Sequence, residues 1–258
     1  MCVLSCAYYA LAKTGRTGVL WCDTAAVDVR LRHPLQMELH VLKLYGFAVS
    51  NYFNMVRMTL AAKGLEYEVV KTFPSQSPDW VSMSPMGKVP CLETEHGFIA
   101  ETQVILEYLD EQYPDKPVLP KGSYAKARAR QLMHSLELYL ELPARRLFPG
   151  TLFGGRNEQL TIDEVKPVLE KGVRTLNQLA DCGPFLMGAS PTAPDYMALY
   201  VLPLAQAVAK KTYGWDLLSD INGSSELLAA LNDNEHAQQF SAESASEMAE
   251  FVAGLSAK

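Results

Sequence analysis

The stretch from Pro85 to Val104, PMGKVPCLETEHGFIAETQV, most narrows what this chain can fold into. Pro90 has no backbone N–H, so it belongs at the start of a strand or on a sheet edge, not inside a central strand. It also makes Val89–Pro90 a candidate for a cis bond, which is uncommon enough to have a purpose where it occurs. Cys91, Leu92 and Glu93 continue as a short extended run. Thr94 to Gly97 supplies a tight turn, with Gly97 able to take positive φ, and a second short strand follows. Ala100, Glu101 and Thr102 then lead into a helix from Gln103 to Tyr113, in which Ile105, Tyr108, Leu109 and Gln112 share one face.

The segments on either side extend this pattern. His40 to Gly46 reads as a buried strand and Phe47 to Asn51 as a short loop. Tyr52 to Lys63 reads as a helix with Phe53, Val56 and Leu60 on one face and Gly64 as its stop. Leu65 to Val70 alternates like a half-buried strand. Lys71 to Ser84 is a polar connection with one helical turn near Asp79 and Trp80. The order β-α-β-α-β-β-α, taken alone, gives a small α/β domain. After a Pro-rich linker over 115–122 the pattern is helical to the end. Ala125 to Leu142 forms one long amphipathic helix that Pro143 ends or kinks, and Leu160 to Ala180 forms another with Pro167 early in it. Thr192 and Asp195 have capping-box spacing, and the role expected of them is structural. Ser225 to Asn232 and Ser244 to Gly254 are the terminal helices.

Several functions are disfavoured by what the chain contains. Its 258 residues, 48% of them hydrophobic, suit one or two globular domains. A net charge of −6 without a long basic run argues against nucleic acid as a partner. The longest mainly apolar run, Tyr196 to Ala209, contains Pro203 and is too short to span a bilayer, so no membrane role is expected. Cys2, Cys6, Cys22, Cys91 and Cys182 form no C-x-x-C pair, which fits a reducing, cytoplasmic setting. The histidines are isolated, so no metal site is expected. Neither G-x-G-x-x-G nor G-x-S-x-G occurs. Residues 1–36 hold three of the cysteines and lack periodicity. They read as a poorly defined extension, with Met37 as the physiological start or the leader as a loosely packed tail.

The region around Pro90 resembles the cytosolic glutathione S-transferase family, whose glutathione site is built from a Val-Pro turn and a Glu-Ser or Asp-Ser pair. Val89-Pro90 and Glu101-Thr102 match that pattern, a Thr replacing the commoner Ser, and Pro85-Met86-Gly87-Lys88 precedes them at the right spacing. The resemblance is to serine-type, theta- or zeta-like bacterial members; it runs from about Met37 to the end and is weakest after Lys211. It implies an α/β plus all-α architecture. A thioredoxin-like glutathione-binding domain would cover 37–117 and an all-helical domain 123–258, homodimer formation being part of the same expectation. Glutathione would be the co-substrate.

A glutaredoxin carries a cysteine where its first loop meets its helix. Here that place reads Ser50-Asn51-Tyr52-Phe53-Asn54, so any sulfur must arrive with the substrate. A free thiol has a pKa near ~8.5, and a hydroxyl donor with a helix N-terminus can favour its thiolate. Alignment of Leu44-Tyr45 through Val56-Arg57 with the theta and zeta classes puts Ser50 on the catalytic serine; the alternative is a plain helix N-cap. Tyr45 aligns less well with the tyrosine of the tyrosine-using classes. Asn51, Tyr52 and Asn54 are neighbouring donors that share or take over the role. By the same resemblance, the backbone of Val89, aimed by Pro90, pairs with the cysteinyl unit of glutathione. Glu101 meets the γ-glutamyl ammonium and Thr102 the adjacent carboxylate. Lys88 meets the glycyl carboxylate or is simply solvated. Tyr139 and Phe148 are candidates for an electrophile pocket between the first loop and the long helix. The activity implied is conjugation of glutathione thiolate to a small hydrophobic electrophile. Two alternatives stand beside it: glutathione-dependent disulfide or peroxide reduction or isomerisation on the same site, and a non-catalytic binding protein.

Overall fold

The computed structural model describes residues 41–256 apart from 181 and 182. The expectations for residues 1–36, and for a first strand opening near Met37, lie outside the described residues.

The first part of the chain has the expected order: β1 (Leu42–Gly46), α1 (Asn51–Lys63), β2 (Tyr67–Lys71), α2 (Pro78–Met83), β3 (Cys91–Thr94), β4 (Gly97–Ala100) and α3 (Thr102–Gln112). The sheet runs β2-β1-β3-β4. β1 and β2 are parallel, which requires α1 as a crossover, while β3 pairs antiparallel with both β1 and β4. Being an edge strand, β2 leaves Val69 exposed where the alternation suggested a half-buried strand.

α1 is more buried than its apolar stripe implies. Phe53, Val56 and Leu60 are in the core as expected, yet Asn54, Arg57, Thr59 and Lys63 are buried too. The helix lies between the sheet and the helical layer, so its polar side must find partners inside the protein. Lys63 Nζ donates to the Lys116 carbonyl at 2.9 Å, and the Thr59 hydroxyl to Met55 at 3.2 Å. Asp110 on α3 ties down the Pro-rich linker by accepting the N–H groups of Val118 and Leu119 at 2.7 and 3.3 Å.

The helical part comprises α4 (Ser123–Leu136), a π-helical turn (Glu137–Glu141), α5 (Leu142–Arg145), α6 (Phe148–Thr151), α7 (Gln159–Leu179), α8 (Ala193–Tyr213), a 3₁₀ turn (Leu217–Asp220), α9 (Ser224–Asn232) and α10 (Glu235–Ser256). Leu42 and Leu44 of the sheet, Phe53 of α1, and Leu136, Met197 and Leu202 of the helices belong to one hydrophobic cluster. None of the helices among the described residues is long and apolar enough to cross a membrane.

Two helices also depart from their expected course. The helix foreseen as continuous from Ala125 to Leu142 widens at its end, where the Leu142 N–H reaches back to the Glu137 carbonyl. Pro143 supplies the reason: its ring crowds the carbonyl four residues back, that of Tyr139, and a π turn relieves the crowding. α7 passes close to this turn, since a Cβ on Gly172 would lie 2.6 Å from the Tyr139 carbonyl oxygen. α10 begins at Glu235, well before Ser244. In its first half Ala237 and Phe240 are buried while Gln238, Gln239 and Ser241 face solvent, and Glu243 pairs with Arg57 of α1.

The capping box forms at α8. Asp195 accepts the Thr192 N–H and hydroxyl, both at 2.7 Å, and its other oxygen accepts the Leu186 N–H at 2.7 Å. Burial pushes this carboxyl above its ordinary range, and the three donors oppose that effect.

Candidate functional site

The sheet register gathers the candidate residues at one end. Tyr45 pairs with Cys91, and Cys91 with Ala100. One residue further along each segment are Gly46, Pro90 and Glu101. The loop that carries Ser50, the Val89–Pro90 turn and the start of α3 therefore emerge side by side.

Ser50 is the N-cap of α1, with extended backbone angles φ −72 and ψ 115. Its Oγ accepts the Phe53 N–H at 3.3 Å. A hydroxyl that accepts at a cap still has its own proton to give, and no acceptor for that proton occurs among the described residues. The cap and the donor roles are thus compatible rather than alternatives.

The neighbouring donors are engaged elsewhere. Asn51 is buried; its Nδ2 donates to Glu141 at 3.0 Å and its Oδ1 accepts from Arg145 at 3.0 Å. The Tyr52 hydroxyl donates to the second Glu141 oxygen at 2.8 Å, and burial together with that carboxylate drives its pKa far above the phenol range. Asn54 Nδ2 donates to the Ala48 carbonyl at 2.7 Å, bracing the loop from the inside. Tyr45 lies on β1 and donates to Glu93 at 2.6 Å; that hydrogen bond first, and burial second, push its pKa up to about 12.

Val89–Pro90 is cis. Val89 packs with Trp80 and Cys91, and its backbone N–H and C=O take no partner among the described residues. Cys91 is a buried free thiol pushed up to about 11 by burial, with Glu93 adding to the effect, so it is not a thiolate near neutral pH. Lys88 is exposed.

Glu101 is the non-glycine residue with positive φ among the described residues, at φ 69 and ψ 116. It is the single residue between β4 and α3, so one joint must absorb the whole change of direction. Its carbonyl accepts the first helical bond from Ile105 at 3.0 Å, and its side chain is exposed. A side-chain-bearing residue in such a conformation costs ~1–3 kcal/mol and points to a functional demand. Thr102, next in line, is buried at the first position of α3.

Phe148 is buried with the Arg145 guanidinium 5.0 Å from its ring centroid, which links it to Asn51. Tyr139 instead lines a groove of about 850 Å³ between α4 and α7 with Arg130, His134, Val168 and Lys171. The two pocket candidates therefore do not share a wall. Glu141 and Arg145 were missed from the sequence, because polar residues ninety positions from Asn51 on an amphipathic helix carry no local signal. No group of metal-ligating side chains occurs among the described residues.

A family model described as the glutathione S-transferase N-terminal domain matches residues 44–117. A glutathione S-transferase of Pseudomonas putida is 39% identical over 212 residues, covering 82% of this chain and 96% of that protein. The chain belongs to the glutathione S-transferase family. Maleylacetoacetate isomerase of Dictyostelium discoideum is 40% identical over 96 residues, 35% of this chain and 44% of that protein. A glutathione S-transferase of Methylobacterium radiotolerans, solved in complex with glutathione sulfonate, matches with a TM-score of 0.63 at 20% identity over 77% of this chain and 93% of that one. The fold is accordingly that of the family, a thioredoxin-like domain with a small mixed sheet followed by a helical domain.

Proposed function

We propose that this glutathione S-transferase family member binds glutathione at the Ser50, Val89 and Glu101 end of the sheet and conjugates it, through its thiolate sulfur, to a small hydrophobic electrophile. The observation that carries this reading is the register, which gathers a capped helix N-terminus, the unpaired backbone of Val89 and a strained acidic joint at one place. The Val89 backbone would pair with the cysteinyl unit as an added strand. Glu101 would take the γ-glutamyl ammonium, Thr102 and the N-terminus of α3 its carboxylate, and Lys88 the glycyl carboxylate. The sulfur would then lie at the N-terminus of α1, where the Ser50 proton and the helix dipole favour thiolate over thiol. The thiolate forms a carbon–sulfur bond with the electrophile, whose leaving group departs with its electron pair. The Asn51 side chain, committed to Glu141 and Arg145, would support the turn and not touch the ligand directly.

Isomerisation is the second reading, because a relative of that name aligns with part of the chain. It uses the same thiolate, which adds to an unsaturated substrate and leaves again after bond rotation. Reduction of disulfides has less support, since the position that meets α1 is a serine and Cys91 is buried. Titration with glutathione by calorimetry, followed by assays with an aryl halide, a cis-unsaturated diketo acid, a disulfide and a peroxide, separates these readings. We expect binding and aryl-halide turnover. Binding without any turnover would make the chain a non-catalytic binding protein, and no binding would remove the reading. A homodimer and a cytoplasmic role in clearing reactive electrophiles belong to the same proposal.

A further inference from the structure

We infer that Glu141 and Arg145 are positioning residues for the sulfur end of the site, holding the first turn of α1 and cancelling each other's charge behind it. This rests on the glutathione reading above.

Glu141 is 1% exposed, yet its carboxylate is fully used. One oxygen accepts from Asn51 Nδ2 at 3.0 Å and from Arg145 through both Nε, at 2.9 Å, and Nη2; the other accepts from the Tyr52 hydroxyl at 2.8 Å. Arg145 closes the ring by donating to Asn51 Oδ1 at 3.0 Å, and its guanidinium lies over the rings of Tyr52 and Phe148, 5.3 and 5.0 Å from their centroids. Two consecutive residues of the first turn of α1 are thereby pinned to the helical part of the protein, and Ser50 immediately precedes them. The π turn that ends at Glu141 and the Pro143 that follows it fix where the carboxylate emerges.

The charges matter as much as the hydrogen bonds. The first turn of α1 is where an anionic sulfur would be stabilised. A buried carboxylate behind it, unopposed, would repel the thiolate; an unopposed guanidinium would attract it. Paired, the two leave the sulfur to Ser50 and the helix N-terminus. Glu141 also acts on the Tyr52 phenol on α1 and on Glu137 of the same π turn; Glu137 is in turn influenced by His134 and Glu101 and hydrogen-bonded by Gln103 at 2.6 Å. None of these supplies a second cation at Glu141.

The test is the pH titration of thiolate absorbance in the complex of the full chain with glutathione, for the parent, Glu141→Gln, Arg145→Met and the double variant. Arg145→Met should raise the thiol pKa and Glu141→Gln should lower it, each by about half a unit to one unit for charges several ångströms away in a partly screened site. The double variant should return close to the parent, and binding of S-methylglutathione should change by less than about threefold in every variant that folds. Shifts of the same sign in the two single variants, or no shift in either, would overturn the inference and leave the ring as a structural brace. Should Glu141→Gln fail to fold, as can follow from stranding a buried partner, Arg145→Met decides alone: no upward shift defeats it. A parent that shows neither a thiolate band nor glutathione binding defeats the glutathione reading and this inference together. A parent that titrates while its variants follow it unchanged defeats only this one.

Discussion

The backbone N–H of Val49 donates to the carboxylate of Glu247 at 3.1 Å, across 198 positions of sequence. The other oxygen of Glu247 pairs with Lys71 at 2.5 Å. One turn earlier on α10, Glu243 accepts from Arg57 at 2.6 Å, and the Arg57 guanidinium lies 3.7 Å from the centre of the Phe240 ring. The C-terminal helix thus grips the loop that delivers Ser50 to the head of α1. Glu247→Ala removes the acceptor of a backbone N–H and should cost ~1–2 kcal/mol of stability. It should also loosen the loop, so that the glutathione concentration for half-maximal turnover rises. Equilibrium urea unfolding and steady-state kinetics read the two effects, and an unchanged unfolding midpoint would show that the contact carries no stability.

Ser50 caps α1 and, in the proposed function, also donates to the sulfur; substitution separates the two. Alanine loses both the cap and the hydroxyl proton, whereas glycine caps almost as well as serine while losing the proton. Ser50→Ala should therefore destabilise by ~1 kcal/mol and Ser50→Gly by only a few tenths. Turnover with an aryl halide should fall in both, by roughly tenfold to a hundredfold, because the α1 N-terminus still favours the thiolate when one donor of this kind is removed. Turnover that tracks stability, falling in alanine but not in glycine, would reduce Ser50 to a cap.

The two turns and the two short strands around Pro90 were legible because their causes are local: a missing N–H at Pro90, a glycine at Gly97 and an apolar period in α3. The same holds for the Gly64 stop of α1 and for the Thr192–Asp195 box. The π turn was not legible, although Pro143 announced some disturbance, because whether a proline kinks a helix, ends it or widens the turn before it depends on what packs alongside, here α7 at Gly172. α1 misled in another way. Arg57 and Asn51 look like solvent-facing residues until Glu243 and Glu141 arrive from distant segments. For the proposed site, Val89, Pro90, Glu101 and Thr102 were readable as a motif, while the ring behind Ser50 was not, since its members are joined only by tertiary contact.

The Tyr45–Glu93 bond gives the protein a pH-dependent contribution at the alkaline end. The phenol is held at about 12 in the folded chain and returns to roughly 10 when unfolded. A group raised on folding contributes stability that is fully present below its unfolded pKa and lost as pH rises through its folded one. Stability should therefore decline between about pH 10 and 12 more steeply in the parent than in Tyr45→Phe. Urea midpoints measured across that range check this. Parallel curves would mean that the Glu93 acceptor does not hold the proton.

Under the proposed function, Glu101 sets stability against ligand binding at one residue. Its φ of 69 and ψ of 116 suit glycine and penalise any side chain. Glu101→Gly should relieve that cost, offset in part by the greater freedom glycine gives the unfolded chain, for a net gain of up to ~1 kcal/mol. A structural residue would leave ligand binding alone. If the carboxylate meets the γ-glutamyl ammonium, the same change removes a charge-assisted contact worth ~1.5–3 kcal/mol, or roughly tenfold to a hundredfold in affinity. The expected outcome is a higher unfolding midpoint together with weaker glutathione binding by calorimetry. Glu101→Gln, which keeps the side chain and its strain, should bind weakly without gaining stability. A more stable Glu101→Gly that binds glutathione as the parent does would show that the strain serves only to turn β4 into α3, and the ammonium would have to be sought elsewhere.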